Sequence, residues 1–281
     1  MTSGDKLEAK SDNLGLRVIS ALVMVPAGVC VVYVGGPVLA MACVACGLGM
    51  WREICNVSAG LSVQSPIWLL GAVLIAAVCV AITWIPEWTG LIVTVGVAVL
   101  AAIALVSRSS NSVWLISGLV FVIAAVSGLI FIRDYSPDGL IVILSLMTCV
   151  WATDIAAYFA GKGFGGPQLS PTGSPNKTWS GAAGAVICTA LIGALIGGLL
   201  GAPVLPWLLF AAVLSLLAQV GDLLESYWKR RFGVKDSGTL IPGHGGILDR
   251  LDSFSCVLVC VGFLLYWLPD FPVAVLKLGD A

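Results

Sequence analysis

Charge is scarce in this chain. Of 281 residues, 14 are Lys or Arg and 15 are Asp or Glu, only 10% together, where a soluble domain carries about 25%. Hydrophobic residues make up 59% and the mean hydropathy is +1.05. A soluble fold of this length could not bury so much apolar surface, so that class is excluded; a bilayer supplies the missing solvent. Histidine is scarcer still, with His244 standing alone. Cys43 and Cys46 spell C-x-x-C, but no second cysteine pair and no histidine lies nearby, which removes the zinc and redox readings. The nine cysteines lie almost entirely in apolar runs and read as small helix-packing hydrophobes. No disulfide framework, second soluble domain or internal repeat is visible.

What is present is a series of apolar runs. A helix needs about 20 residues to cross the hydrocarbon core. Nine segments qualify: 16–34, 37–54, 66–84, 89–106, 112–132, 139–161, 178–200, 204–229 and 250–268. The first follows Lys6, Lys10 and Arg17 like a signal peptide, but it is too long for one and reads as a retained helix. The second is separated from it only by Gly35-Gly36-Pro37. Tryptophans such as Trp51, Trp84, Trp179, Trp228 and Trp267 fall near span ends, where an aromatic belt belongs. The expected fold is an all-α, polytopic integral membrane protein of about nine transmembrane helices with a cytoplasmic N-terminus. Under that orientation 12 Lys and Arg lie inside, and only Arg133 and Lys277 lie outside, in accord with the positive-inside rule. Residues 1–135 form about five N-terminal spans, and 136–281 form four more with two long cytoplasmic loops, 162–177 and 230–249. Both loops are rich in Gly, Pro, Ser, Lys and Asp.

Ionisable residues within spans are expensive and demand a reason. Asp222, Glu225, Ser226 and Lys229 follow one another at helical spacing on one face of the eighth helix. Asp249 and Asp252 open the ninth, and Asp154 and Tyr158 share a face of the sixth. Three helices thus aim polar groups at one membrane face. The bland alternative is structural pairing of each Asp with Lys or Arg between helices. Clustered carboxylates suit a hard cation, which typically bridges them to phosphates. Lys162, Lys177, Lys229, Arg230, Arg231, Lys235 and Arg250 would balance phosphate charge. Gly243, Gly245 and Gly246 let backbone approach a ligand closely. The residues alone therefore imply metal-assisted phosphate chemistry at the inner leaflet, with the substrate open. The segment between Asp222 and Asp249 could fold back to bring both carboxylates to one cation.

The stretch from Ser226 to Asp252 reads S-x-x-K-R-x4-K-D-x-G-x-x-I-P-x-H-G-G-x-x-D-R-x-D. It resembles the signature of the phosphatidate cytidylyltransferase (CDP-diacylglycerol synthase) family. A second block is similar to the same family: Asp154-x-x-Ala157-Tyr158, then Gly161-Lys162, then Ser174-Pro175-Asn176-Lys177-Thr178-Trp179. There a Glu or Gln commonly follows the Trp, whereas Ser180 stands here. The matches cover roughly the C-terminal half; the first five helices resemble the family only in hydropathy. The resemblance implies transfer of CMP from CTP to phosphatidic acid, releasing pyrophosphate, with Mg²⁺ required and K⁺ a candidate second ion. It implies Asp222, Asp249 and Asp252 as metal ligands, and Asp222, Asp249, Lys229 and His244 as the catalytic set. Substrate contacts would come from Asp154, Tyr158, Lys162, Ser174, Asn176, Lys177, Ser226, Arg230, Lys235, Asp236, Gly245, Gly246 and Arg250. CTP, phosphatidic acid and the bilayer are the expected partners, a homodimer is considered, and no nucleic acid is expected. The expected location is a bacterial inner membrane with the site facing the cytoplasm.

Other features are set aside. Gly161, Gly163 and Gly166 spell G-x-G-x-x-G, but they follow a membrane helix and not a strand, so the dinucleotide-binding reading fails. Glu53, after Trp51-Arg52, reads as the end of the second helix, and Glu225 as a partner for a nearby Lys or Arg. The alternative enzymes are a polyprenol kinase or an archaeal-type lipid cytidylyltransferase, and the alternative class is a cation or phosphate transporter. A transporter would carry midspan carboxylates, and the first five spans show none midway.

Overall fold

The computed structural model describes residues 22–106, 111–241 and 245–271. Nine helices run through them: α1 Leu22–Val34, α2 Gly36–Ala59, α3 Pro66–Trp84, α4 Pro86–Val106, α5 Ser112–Tyr135, α6 Gly139–Phe164, α7 Trp179–Leu199, α8 Val204–Arg231 and α9 Leu248–Trp267. Each expected span has its helix. Among the described residues six of them, α2, α3, α5, α6, α7 and α8, are long and apolar enough to cross a membrane. Their outward faces are apolar too: Leu191, Leu195, Leu205 and Leu209 are exposed. Lys6, Lys10, Arg17, Arg108, His244 and Lys277 lie outside the described residues.

The break between α1 and α2 has a local cause. Gly35 and Gly36 take φ of 69° and 51°, a left-handed backbone that a Cβ disfavours, and Pro37 then starts the next helix. The end of α5 fastens this turn. Asp134 accepts from the Gly36 amide at 3.2 Å, and Arg133 Nε donates to the Val32 carbonyl at 2.6 Å.

The bundle packs α7 against α6 and α8, α9 against α5 and α8, and α2 against α3 and α5. One apolar core gathers residues such as Leu39, Ile130, Leu146, Trp207 and Val257. A second, made of Met50, Trp51, Ile75, Leu119, Trp228, Leu248 and their neighbours, joins α2, α3 and α5 to the facing ends of α8 and α9. That second core therefore draws on both sides of residue 135.

Four points differ from the sequence reading. Helix α2 continues past residue 54 to Ala59, so Glu53 does not end it. Ile54, Cys55 and Ser58 are buried, and Gly60, with φ 62°, closes the helix: its amide donates to the Asn56 carbonyl and the Leu61 amide to that of Cys55. Helix α6 likewise runs on to Phe164. The remainder of the 162–177 loop is not irregular: β1 Gln168–Ser170 pairs antiparallel with β2 Ser174–Thr178. Lastly, the segment after Asp222 stays helical to Arg231, so Asp222 and Asp249 are not joined by one long loop.

Candidate functional site

The ends of α6, α8 and α9 meet where Gly221 lets α8 cross α9 closely. A Cβ on Gly221 would stand 2.6 Å from Cys256 Cβ and 2.9 Å from the Asp252 carbonyl oxygen. The crossing gathers one oxygen each from Asp222, Glu225 and Asp252 to within 4.8 Å of one another. Asp154 on α6 completes the convergence, lying within electrostatic reach of Asp222, Lys177 and Arg250. The three-helix arrangement expected from spacing is thus formed, by direct packing of α8 on α9.

Basic groups enter from both flanking segments. Lys177, in β2, forms an ion pair with Asp222. Lys229 pairs with Glu225 at 2.6 Å and with Asp249 at 2.7 Å. The expectation that Glu225 finds a neighbouring cation is met. Arg230 Nε donates to the Gly173 carbonyl at 3.2 Å, tying the hairpin turn to the end of α8. Ser226 stands beside Asp222, at 3.5 Å. Ser174 and Asn176 share β2 with Lys177. Lys162 lies 5.6 Å from the ring centroid of Tyr158. Lys235 and Asp236 are exposed in the loop after α8. Ser180, where the family pattern has a Glu or Gln, donates to the Gly165 carbonyl and so clips the start of α7 to the end of α6.

Asp249 occupies different surroundings from the other carboxylates. Its oxygens accept from the Ser237 amide at 2.9 Å, the Gly246 amide at 2.8 Å and Lys229. It stands outside the trio of Asp222, Glu225 and Asp252. Gly245, with φ 86°, makes the turn that aims the Gly246 amide at it.

Sequence reasoning missed Glu53 as part of this region. It is 3% exposed and accepts from Ser237 Oγ at 2.7 Å and from the Ile247 and Leu248 amides at 2.9 Å. A signal existed: a charged residue inside an apolar helix needs a partner, and the buried residues beyond Glu53 show that the helix had not ended. Ser237, only 2% exposed, sits at a variable position of the motif.

A hard cation fits this donor set. Among the described residues, Asp154, Asp222, Glu225, Asp249 and Asp252 outnumber Lys177, Lys229 and Arg250, the cations in their reach. Glu225, itself one of the trio, is only 8% exposed. Oxygen donors without histidine or cysteine match Mg²⁺ preference.

Comparison with known proteins agrees with this geometry. A model of the Cytidylyltransferase family matches residues 15–268. A phosphatidate cytidylyltransferase of Brucella suis is 38% identical over 275 residues, covering 94% of this chain and 98% of that protein. Those of Helicobacter pylori and Staphylococcus saprophyticus are each 43% identical, over 147 and 140 residues, covering 52% and 49% of this chain and 55% and 54% of theirs. With a match that runs from before α1 to the end of α9, the chain belongs to the cytidylyltransferase family.

Proposed function

We propose that this protein transfers CMP from CTP to phosphatidic acid, yielding CDP-diacylglycerol and pyrophosphate. The observation that carries the reading is the carboxylate trio of α8 and α9 beside Lys177 and Lys229, in a chain that matches phosphatidate cytidylyltransferases over nearly its whole length. The phosphate of the lipid is already mostly ionised near neutral pH, so it attacks the α-phosphorus of CTP without a strong base. The obstacle is repulsion between two anions, and fixed positive charge with in-line positioning relieves it.

Asp222, Glu225 and Asp252 are the residues we assign to hold Mg²⁺; when bound, it neutralises charge on the phosphates. Lys177 from the hairpin and Lys229 from α8 face the phosphates, Lys229 oriented by Asp249. Arg230 fastens the hairpin that carries Lys177. To substrate contact we also assign Lys235, Asp236, Arg250, Tyr158 and Lys162. All nine helices span the membrane, and the site end faces the cytoplasm of a bacterial cell, where CTP resides. Phosphatidic acid enters sideways between helices, because its chains favour the bilayer by about 0.8 kcal/mol per buried CH₂.

Product analysis tests the reading. Purified protein with α-labelled CTP, phosphatidic acid and Mg²⁺ should form a lipid-linked CMP unit and release pyrophosphate. Transfer of the γ-phosphate to the lipid, with release of CDP, would instead make it a lipid kinase.

A further inference from the structure

We propose that Glu53, on α2 in the N-terminal half, is a positioning residue that holds the segment made of residues 237–241 and 245–248 in its working shape. The proposal rests on the reading that this segment borders the nucleotide site. A buried carboxylate in an apolar helix is unfavourable unless donors satisfy it. Here three do, and all come from the one segment. Oε2 accepts from Ser237 Oγ at 2.7 Å and from the Leu248 amide at 2.9 Å, and Oε1 accepts from the Ile247 amide at 2.9 Å. One side chain thus pins both ends of the segment.

The segment is also shaped to receive that carboxylate. A Cβ on Gly238 would stand 2.7 Å from Glu53 Oε1 and 2.9 Å from its Cδ, so a side chain there would push the backbone away. Helix α9 begins at Ile247, whose side chain cannot cap. Glu53 supplies the cap from another helix, accepting two of the amides that a helix N-terminus leaves unpaired, and its negative charge suits that end of the helix dipole. The same segment meets Asp249 from the other side: the Ser237 and Gly246 amides donate to Asp249, which pairs with Lys229. Glu53 therefore acts on Lys229 through the backbone of the segment and touches no phosphate itself.

The test uses the full-length protein in detergent or nanodiscs, comparing Glu53→Gln with the parent. Gln has one acceptor oxygen where three donors converge, and its amide must face at least one of them. Amide hydrogen exchange at 237–241 and 245–248 should accelerate while α6 and α7 stay protected. The turnover number should fall about a hundredfold, the scale for displacing a reacting group by about 1 Å, with the KM for phosphatidic acid within twofold. Ser237→Ala combined with Glu53→Gln should cost no more than Glu53→Gln alone. If Glu53→Gln does not fold, Gly238→Ala serves: its methyl displaces the segment and leaves the carboxylate intact, and it should give the same local exchange and turnover loss. Unchanged exchange at 237–241 and 245–248, or faster exchange throughout the bundle at unchanged turnover of the folded protein, overturns the proposal. A parent that makes no CDP-lipid defeats the functional reading instead, and the exchange comparison still decides whether Glu53 holds the segment.

Discussion

Asp222 and Asp249 bring the same carboxylate into unlike surroundings. Asp222 is about one-third exposed and its partners are side chains, Lys177 and Ser226. Asp249 is 6% exposed and gathers two backbone amides as well as Lys229. Replacing either by Asn removes a formal charge and should lower the rate at least about a hundredfold, the scale for deleting one strong electrostatic donor. Stability should separate them. Asp222→Asn should melt in detergent near the parent, whereas Asp249→Asn loses charged hydrogen bonds worth about 1.5–3 kcal/mol each and should melt clearly lower. Asp270→Asn, exposed beyond α9, is the control for both. Ordinary activity and unchanged Mg²⁺ dependence in Asp222→Asn would remove it from the metal shell. The residue chemistry was legible only in part. Asp154, Asp222 and Asp252 announced themselves by spacing, but the contact of Lys177 with Asp222 and of Glu53 with Ser237 depends on chain reversals that no local pattern encodes.

At the scale of elements, the α8–α9 crossing decides whether the carboxylates meet at all. Gly221 permits it, and Gly198 on α7 offers a contrast because a Cβ there meets nothing within 4 Å. Gly221→Ala should force the helices apart, cost about 1–3 kcal/mol as an overpacked contact, and reduce CDP-lipid formation at every Mg²⁺ concentration. Gly198→Ala should leave activity unchanged. Equal behaviour of the two variants would mean that close approach at Gly221 is not what brings Asp222 to Asp252. The helices themselves were readable because a bilayer demands about 20 apolar residues per crossing: a helix stands in each of the nine segments, and among the described residues six are long and apolar enough to cross. Their ends were less so. Helix α2 was expected to stop at Glu53, because a charge looks like a membrane boundary until its buried partners are known. The β1–β2 hairpin hid in a segment whose Gly and Pro content suggested only loop.

For the whole molecule, the proposed topology rests on the lopsided distribution of Lys and Arg, which favours a cytoplasmic carboxylate end with the α1–α2 and α5–α6 turns on the opposite side. Reporter fusions should place the N-terminus inside and the C-terminus outside; both on one side would leave an even number of crossings and contradict nine. Fold class and the gathering of polar groups at one end were legible across the entire chain. The dependence of that end on α2 was not, since it rests on pairs such as Glu53 with Leu248, 195 positions apart. That separation has a consequence for biosynthesis. Ribosomes add about 5–20 residues per second, so roughly 10–40 s pass between the making of Glu53 and the making of its last partner. Throughout that interval the carboxylate has none of the donors it will finally hold, and α2 must wait at the membrane with its charge still wet. The contacts of Glu53 with the start of α9 are therefore among the last features of the newborn enzyme to form.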